Sequence, residues 1–399
     1  MKAVVIGAGR IGCGLVGQVL RASGYQVVLV GRHPGVIHQI NQFGCYWVRL
    51  VWGTHTQEIL VDNVRALPMA EPDRVVHELA EADLITTAVR PENLPYVAPV
   101  IAAGLQRRRR PVNVLAFENL ANAGLRVRHL VGNHLASDAV LAAHGFGGVL
   151  VSRTVTQCLI DPDGATPLIF VGDPPASFVV EGAQLCQPLP PIEGMIVTDN
   201  YPAWIQRKLY TYSAGHATTA YLGYLQGYRY IHTAIRDGDI RAAVLTAMAE
   251  GQRGLAVRYG SELAGSERDL LDILARFENV ALADPIVRVG CDPCRKLGPH
   301  DRLVGAASLA EAAGMQPCTL ARAAAAALCF HHPADPSAVR LQHLLQTAGL
   351  HATLQHISGL DSKRGVGRLV AESWRQIPRG LRQGNTFSSP ERRMWASCL

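Results

Sequence analysis

The sequence predicts an α/β amino-terminal domain followed by an all-α carboxy-terminal domain. Short β-branched runs alternate with helical patterns in the first half, and helix-like spacing of apolar residues takes over after about residue 198. A chain of 399 residues is long enough for about two or three domains. The stretch Pro188–Pro191 breaks regular structure and favours a domain boundary near residue 195. We therefore predict one domain over 1–195, a second over 196–385, and a polar tail over 386–399 that is a candidate for disorder.

The composition excludes several classes of protein. Charged residues make up 18% of the chain and hydrophobic residues 48%, which is not the composition of a disordered protein. The formal net charge of +6 does not favour a nucleic-acid-binding protein, but it is compatible with anionic small substrates. We expect the four arginines Arg107–Arg110 to be a solvated helix end and loop rather than a nucleic-acid patch. No apolar run approaches the ~18 residues of a membrane span, so no membrane association is predicted.

Cysteine usage indicates a reducing compartment. The nine cysteines are odd in number and irregularly spaced, and no signal peptide precedes the first strand-like run. We therefore expect free thiols and a cytoplasmic location. Cys291 and Cys294 form a C-x-x-C pair, but a metal site would need two further ligands and none is evident, so no metal is predicted.

The clearest motif is the glycine-rich turn Gly7–Gly12, which lies between a first strand and a first helix. In such a turn Gly7 permits the tight bend, Gly9 lets the backbone approach a pyrophosphate, and Gly12 allows close helix–strand packing. The helix amino terminus then offers free N–H groups to phosphates. The motif predicts a Rossmann NAD(P)-binding domain, with Arg10 and Ile11 also in the cofactor-binding turn. The alternative is a glycine-rich turn that binds no ligand.

The end of the second strand bears on which dinucleotide is bound. An acid at this position binds the 2′-hydroxyl of NAD, whereas a basic residue accommodates the 2′-phosphate of NADP. The sequence here reads Val30-Gly31-Arg32-His33, without a carboxylate. Arg32 therefore favours NADP(H) over NAD(H) as the cofactor. The alternative is that Arg32 is a solvated loop residue and the cofactor is NAD.

Two later strands in the first half end in candidate cofactor contacts. Thr87 and Ala88 lie in the strand signal Leu84–Val89, and Asn119 follows the strand signal Val112–Ala116. Ligands of such sheets bind beyond the carboxyl ends of the strands, so these three residues are predicted to contact the cofactor.

Two further apolar runs complete the amino-terminal half. The runs 149–155 and 168–171 flank the turn Asp161–Gly164. They predict a hairpin or late strands of the same domain.

The segment Tyr201–Tyr224 is predicted to be helical and carries Lys208, Ser213 and His216. Lys208 and His216 are eight residues apart, near 12 Å on an ideal helix, so they converge on one ligand only if it lies along that face or the helix bends. Burial would lower the pKa of Lys208 toward a value useful for proton transfer. The alternative is a lysine that extends to solvent and a histidine of the core.

Four cations are concentrated between residues 288 and 302, in a stretch that is loop-like. They are Arg288, Arg295, Lys296 and Arg302. Guanidinium groups bind phosphates through paired hydrogen bonds, so this cationic loop is a candidate for contacts with a phosphorylated substrate.

Short sequence blocks along nearly the whole chain resemble the polyol-specific long-chain dehydrogenase/reductase family. The matching blocks are GAGRIGCG (7–14), ADLITTAV (82–89), FENL (117–120), TDN (198–200), RKLYTYSAGHATTAYLG (207–223), RFEN (276–279), RKL (295–297), DRL (301–303) and ISGLD (357–361). The resemblance implies a Rossmann domain, a helical substrate domain, and hydride transfer between a nicotinamide and a polyol or ketose without a metal.

The resemblance also implies roles for individual residues. Lys208 matches the acid/base, Asn119 a hydrogen-bond donor to the reacting oxygen, and His216 a residue that orients the substrate. Glu118 also matches a family position. The implied substrate contacts are Asp199, Arg288, Arg295 and Lys296.

The chain departs from the family at several site positions. Ser213 stands where the family has a second Asn, and a hydroxyl is a shorter, less directional donor than an amide. The other departures are Arg10 and Cys13 in the glycine turn, Gly31 after the second strand, Ser152, and Cys291.

These departures do not change the expected reaction class, but they leave the identity of the substrate undetermined. We expect an NAD(P)-dependent oxidoreductase acting on a polyol phosphate or ketose phosphate of the mannitol-1-phosphate/fructose-6-phosphate type. The alternatives are a reductase of another sugar or cyclitol ketone, and a non-catalytic dinucleotide sensor. The chain is expected to be a monomer or homodimer.

Overall fold

The computed structural model describes residues 1–120, 122–174 and 177–382. The chain divides into two compact units, of which the first is Met1–Tyr201 and the second begins at Pro202. Such a division is not itself a folding-domain boundary, so the predicted boundary at residue 195 stays a prediction. The tail predicted over 386–399 lies outside the described residues.

The first unit alternates strands and helices. Its strands are β1 (Lys2–Ile6), β2 (Gln26–Gly31), β3 (Tyr46–Trp52), β4 (His55–Val61), β5 (Val64–Pro68), β6 (Leu84–Thr87), β7 (Asn113–Ala116), β8 (Gly145–Val151), β9 (Val155–Leu159), β10 (Ile169–Gly172), β11 (Phe178–Glu181) and β12 (Met195–Thr198). A π-helical segment, Gly12–Gly17, continues as α1 (Gln18–Ala22), and the further helices are α2 (Pro34–Phe43), α3 (Pro72–Glu81), α4 (Leu94–Gln106), α5 (Ala123–Gly132) and α6 (Asp138–Ala142), with short 3₁₀ turns at Pro91–Asn93 and Gly182–Gln184.

Eight strands form the main sheet in the order β12-β11-β8-β7-β6-β1-β2-β5. All neighbours are parallel except β8 and β11. The central strands are rich in valine, isoleucine and leucine and are buried, as expected for a sheet covered by helices on both faces. The predicted Rossmann-type α/β domain is therefore confirmed.

A second sheet has four strands in the order β4-β3-β10-β9. The predicted pairing around Asp161–Gly164 is present, because β9 and β10 are antiparallel. The run 149–155, however, is not one strand: β8 ends at Val151 in the main sheet and β9 begins at Val155 in the second sheet. The break arises because the backbone N–H of Thr154 donates to Asp173 Oδ1 at 2.6 Å instead of to a neighbouring strand.

Over residues 202–382 the second unit consists of helices joined by loops and has no strand, apart from one isolated bridge between Tyr230 and Pro285, which confirms the predicted all-α architecture. Its helices are α7 (Tyr201–Lys208), a π-helical segment (Leu209–Ser213), α8 (Ala214–Leu225), α9 (Ile231–Ala234), α10 (Gly238–Tyr259), α11 (Ser261–Ala264), α12 (Glu267–Phe277), a 3₁₀ turn (Val280–Leu282), α13 (Ile286–Gly290), α14 (Pro293–Lys296), α15 (Val304–Ala312), α16 (Cys318–Leu328), α17 (Pro336–Thr347), α18 (Gly349–Ser358), α19 (Gly365–Gln376) and α20 (Arg379–Arg382).

The core of the second unit forms around the alanine-rich helix α16. Ala323–Ala327 are each at most 1% exposed, and their small side chains let α16 lie close to α8 and α19. Within the part of the chain that is described, no helix is both long and apolar enough to cross a membrane.

Candidate active site

The glycine turn of the first unit leaves room for a ligand at one position. Gly7 has φ +123°, and a Cβ on Gly12 would lie 1.8 Å from the carbonyl oxygen of Gly7, so both positions require glycine. Gly9 differs, because a Cβ there would meet no atom within 4 Å. The open space beside Gly9 lies at the amino-terminal end of the first helix, where the pyrophosphate of a dinucleotide fits.

Contacts to the second sheet hold the first turns of this helix. The Arg10 side chain donates to the carbonyl oxygen of Thr156 at 2.8 Å, and the Tyr46 hydroxyl donates to that of Cys13 at 3.0 Å. The buried Arg153 donates to Gly14 O at 2.8 Å. Ile11 is partly buried against the core of this unit. The helix end that follows the glycine turn is thus fixed before any ligand binds.

The end of β2 has no space for an acidic side chain. A Cβ on Gly31 would lie 2.8 Å from the Cβ of Ala8, so a larger residue would displace the glycine turn. Arg32 follows directly and is exposed, without an ion pair to any described residue. The first side chain after β2 is therefore an exposed cation.

Glu118 supports the loop that follows β6. Its carboxylate accepts hydrogen bonds of 2.8 Å from the backbone N–H groups of Val89 and Arg90, and burial raises its pKa. Arg90 has φ +75°, a backbone conformation that needs such support. Glu118 is thus a structural residue of this sheet edge.

The predicted cofactor contacts at the ends of β6 and β7 lie side by side. Thr87 is buried and pairs with Ala116 across the two strands, and the backbone N–H of Ala88 donates to Ile6 O at 2.8 Å. Asn119 is exposed and follows β7 at the same sheet edge. Ala88 and Asn119 are therefore accessible to a ligand of the first unit, whereas the Thr87 side chain is fully buried.

Asp199 lies apart from these strand ends. It is exposed and follows β12, the edge strand of the main sheet. Three strand spacings separate β12 from β7, which is about 14 Å. The first unit alone does not bring Asp199 to Asn119.

A π-helical turn changes how the candidate residues of the second unit are arranged. Eight residues of α-helix rotate by about 800°, which would leave Lys208 and His216 about 80° apart. The π-helical segment Leu209–Ser213 inserts one extra residue, so the rotation is about 700°, only about 20° short of two full turns. Lys208 and His216 thus lie on one face, and Ser213 takes the place of an i+4 neighbour of Lys208.

Lys208 has the protonation behaviour expected of an acid/base. Burial lowers the pKa of Lys208 to about 8, and the positive charges of Arg276 and Arg302 contribute further. No carboxylate among the described residues pairs with its ammonium group. The lysine therefore changes protonation state within one pH unit of the neutral range.

His216 is held by a ring stack and a carboxylate. Its imidazole stacks on Phe277 with centroids 5.0 Å apart and planes at 15°, and its Nε2 lies 3.2 Å from Asp284 Oδ2. Burial lowers the pKa of His216 and outweighs the opposing effect of Asp284. Asp284 also accepts two hydrogen bonds from Arg288, of 2.6 Å and 2.5 Å.

The predicted substrate cations have protein partners. The guanidinium of Arg288 is bound by Asp284, and that of Arg295 by Asp292 at 2.5 Å. Lys296 is buried, and its Nζ donates to Val289 O at 2.7 Å and to Cys291 O. Burial, assisted by Arg302 and Arg295, lowers the pKa of Lys296 to about 7. Arg288 and Arg295 remain more than half exposed and can still contact a ligand.

The structure adds two residues to the site. Arg302 was counted in the cationic loop but not singled out; its positive charge helps to lower the pKa of Lys208, His216 and Lys296. Asp284 was missed. Its only signal in the sequence is a position four residues before Arg288, which is the spacing of a helical ion pair.

Comparisons with known proteins identify the family of both units. The family profile described as mannitol dehydrogenase Rossmann domain matches residues 1–194, and the mannitol dehydrogenase C-terminal domain matches residues 200–382. Mannitol-1-phosphate 5-dehydrogenase of Brevibacillus brevis is 36% identical over 384 residues, covering 94% of this chain and 98% of the relative. The enzyme of the same name from Geobacillus thermodenitrificans is 35% identical over 389 residues, covering 94% and 99%.

Solved structures show the same fold at low identity. Substrate-free D-sorbitol dehydrogenase has a TM-score of 0.76 at 15% identity, covering 96% of this chain and 94% of that one. Mannitol 2-dehydrogenase of Pseudomonas fluorescens, solved as a ternary complex with NAD and D-mannitol, has a TM-score of 0.73 at 16% identity, covering 100% and 94%. Family profiles and relatives together span both units, so the chain is an oxidoreductase acting on CH–OH groups and belongs to the mannitol dehydrogenase family.

Proposed function

We propose that the chain interconverts a polyol phosphate and a ketose phosphate of the mannitol-1-phosphate/fructose-6-phosphate type, with Lys208 as the acid/base. The observation that carries the proposal is the buried position of Lys208, whose pKa of about 8 suits proton transfer, on the same helix face as His216. The names of the relatives point to the same substrate class.

In alcohol oxidation, the neutral amine of Lys208 accepts the hydroxyl proton. In ketone reduction, the ammonium form donates that proton to the nascent alkoxide. The hydride chemistry would be supplied by a nicotinamide dinucleotide held at the glycine turn of the first unit. The proposal assigns no step to a metal ion.

Two donors are proposed to stabilise negative charge on the reacting oxygen. Asn119 enters through the family resemblance alone. Ser213 is proposed for this role because the π-helical segment makes it an i+4 equivalent of Lys208. A hydroxyl gives one donor of short reach, so we expect a smaller contribution than from the amide of the family.

The charges of the second unit favour an anionic substrate. The carboxylates of Asp284, Asp292 and Asp301 bind the guanidinium groups of the cationic loop. Lys208 and Lys296 have no carboxylate partner among the described residues, and burial lowers the pKa of each. A phosphate group brought to this loop would offset that excess positive charge.

A substrate panel combined with Lys208→Met tests the proposal. We expect NAD(P)H oxidation with fructose 6-phosphate to exceed that with unphosphorylated ketoses or cyclitol ketones. Lys208→Met should lose about 10²- to 10⁴-fold in kcat while binding the dinucleotide normally. Turnover on a non-phosphorylated ketone alone would favour the alternative reductase, and unchanged kcat in Lys208→Met would remove the acid/base assignment. If neither protein turns over any member of the panel but both bind the dinucleotide, a sensor is favoured.

We also propose NADP(H) as the preferred cofactor, on the ground that Arg32 is exposed at the end of β2 and Gly31 cannot be replaced by an acid without a clash. Arg32→Ala should weaken NADPH binding by about 10-fold or more and leave NADH binding nearly unchanged, since only NADPH carries the 2′-phosphate. Isothermal titration with both dinucleotides measures this. A preference for NADPH that survives the substitution, or a wild-type preference for NADH, would contradict the assignment.

A further inference from the structure

We propose that Asp284 is a positioning residue that acts through His216. Its carboxylate fixes the imidazole with the hydrogen on Nε2, which leaves Nδ1 as an acceptor for a hydroxyl group of the substrate. The inference deepens the proposed function and rests on it, because it assumes that His216 contacts the polyol.

The backbone around Asp284 is held from both sides. The carbonyl oxygen of Asp284 accepts a hydrogen bond of 2.9 Å from the N–H of Ile231, and the next residue, Pro285, forms an isolated bridge with Tyr230. The N–H of Ile286 donates to Arg229 O at 3.0 Å. Asp284 is 8% exposed, so its carboxylate has little freedom to turn toward solvent.

The contacts of the carboxylate decide which nitrogen of His216 carries the hydrogen. Burial would raise the pKa of Asp284, but hydrogen bonds from His216 and Arg288 hold that pKa below its usual value. An ionised carboxylate only accepts hydrogen bonds, so the 3.2 Å contact to Nε2 requires an N–H at Nε2.

The other nitrogen then becomes an acceptor. Burial lowers the pKa of His216, which keeps the ring neutral with a single N–H. With that hydrogen on Nε2, Nδ1 has a lone pair and selects a partner that donates, such as a hydroxyl group. The stack on Phe277 holds the plane of the ring, and the contact with Asp284 selects the edge that carries Nε2.

Arg288 has a second role in this arrangement. It binds Asp284 through two nitrogens, at 2.6 Å to Oδ1 and 2.5 Å to Oδ2, and so orients the carboxylate toward His216. Removing Arg288 alone leaves the contact between Asp284 and His216 possible. Comparing Arg288→Gln with Asp284→Asn therefore separates the effect of losing the guanidinium group from the effect of losing the carboxylate.

Nitrogen-15 NMR of histidine-labelled protein tests the tautomer without any substrate. The chain has 15 histidines, and the signal of His216 is assigned by its absence in His216→Gln. We expect the Nε2–H tautomer in the wild type and in Arg288→Gln, and a mixture of tautomers in Asp284→Asn. The kcat/KM of Asp284→Asn should fall by about 10- to 100-fold, as when a carboxylate that orients a histidine is lost.

The matched control is Asp272→Asn, which makes the same chemical change in an exposed ion pair with Arg268. It should keep both the tautomer and kcat/KM. A wild-type His216 with its hydrogen on Nδ1 would overturn the proposal, and so would an Asp284→Asn that keeps the tautomer or kcat/KM. The wild-type spectrum decides the tautomer even if Asp284→Asn does not fold. Full turnover in Lys208→Met would instead refute the proposed function and leave the tautomer unaffected.

Discussion

At the scale of single residues, the role proposed for Lys208 conflicts with stability. Burial and the charges of Arg276 and Arg302 lower its pKa from 10.5 to about 8 in the folded protein. Below pH 8 both the folded and the unfolded chain carry the charge, and the folded state bears the full cost of burying it. The cost declines as the pH rises from 8 to 10.5, since the folded lysine then loses its proton first.

Lys208→Met should therefore stabilise the protein while it lowers kcat. Removing the buried charge is expected to raise the free energy of unfolding at pH 7 by about 2 to 4 kcal/mol. Urea unfolding at pH 7 and pH 10.5 measures the effect, which should be smaller at the higher pH. A substitution that destabilises the protein at pH 7 would show that the ammonium group is better solvated than the structure indicates.

Residues that act through distant partners could not be identified from the sequence. The glycine turn was predictable because its signal is local, a motif at the end of a strand. Asp284 has no such motif, and its contact with His216 joins positions 68 residues apart. Glu118 matched a family position, but its hydrogen bonds to Val89 and Arg90 became visible only in the fold.

At the scale of elements, the π-helical segment Leu209–Ser213 places the candidate residues. The helix was predicted, but its irregularity was not, because no glycine or proline interrupts those five residues. The segment packs closely against another helix: Gly251 of α10 approaches so closely that a Cβ there would lie 2.1 Å from Tyr210 O. We therefore expect tertiary packing, rather than local preference, to set this turn.

Gly251→Ala should disturb that contact and the site together. The added methyl group would push α10 away from Tyr210, and overpacking of this kind costs about 1 to 3 kcal/mol. We expect lower kcat as well, since the rotation between Lys208 and His216 depends on the π-helical segment. Thermal unfolding and steady-state kinetics measure both effects.

Gly238→Ala is the matched control in the same helix, because a Cβ there meets no atom within 4 Å. It should leave stability and kcat nearly unchanged. If Gly251→Ala behaves like this control, α10 does not maintain the π-helical segment.

At the scale of the whole molecule, the fold class was predictable and the finer connections were not. Alternating strands and helices, followed by helical spacing alone, identified an α/β unit and an all-α unit. The run 149–155 was misjudged as one strand because the bond from Thr154 to Asp173, which ends it, is not local in sequence. The mild net charge of +6 gave no indication that cations concentrate near Lys208.

The pH dependence of turnover in both directions tests the central claim, that Lys208 transfers the proton. Alcohol oxidation needs the neutral amine, so its kcat/KM should rise with pH and level off above about 8. Ketone reduction needs the ammonium form, so its kcat/KM should be constant below about 8 and fall above it. Opposite pH profiles with a shared midpoint near 8, both absent in Lys208→Met, are the predicted result. Profiles that are flat between pH 6 and pH 10, or that persist in Lys208→Met, would contradict the account.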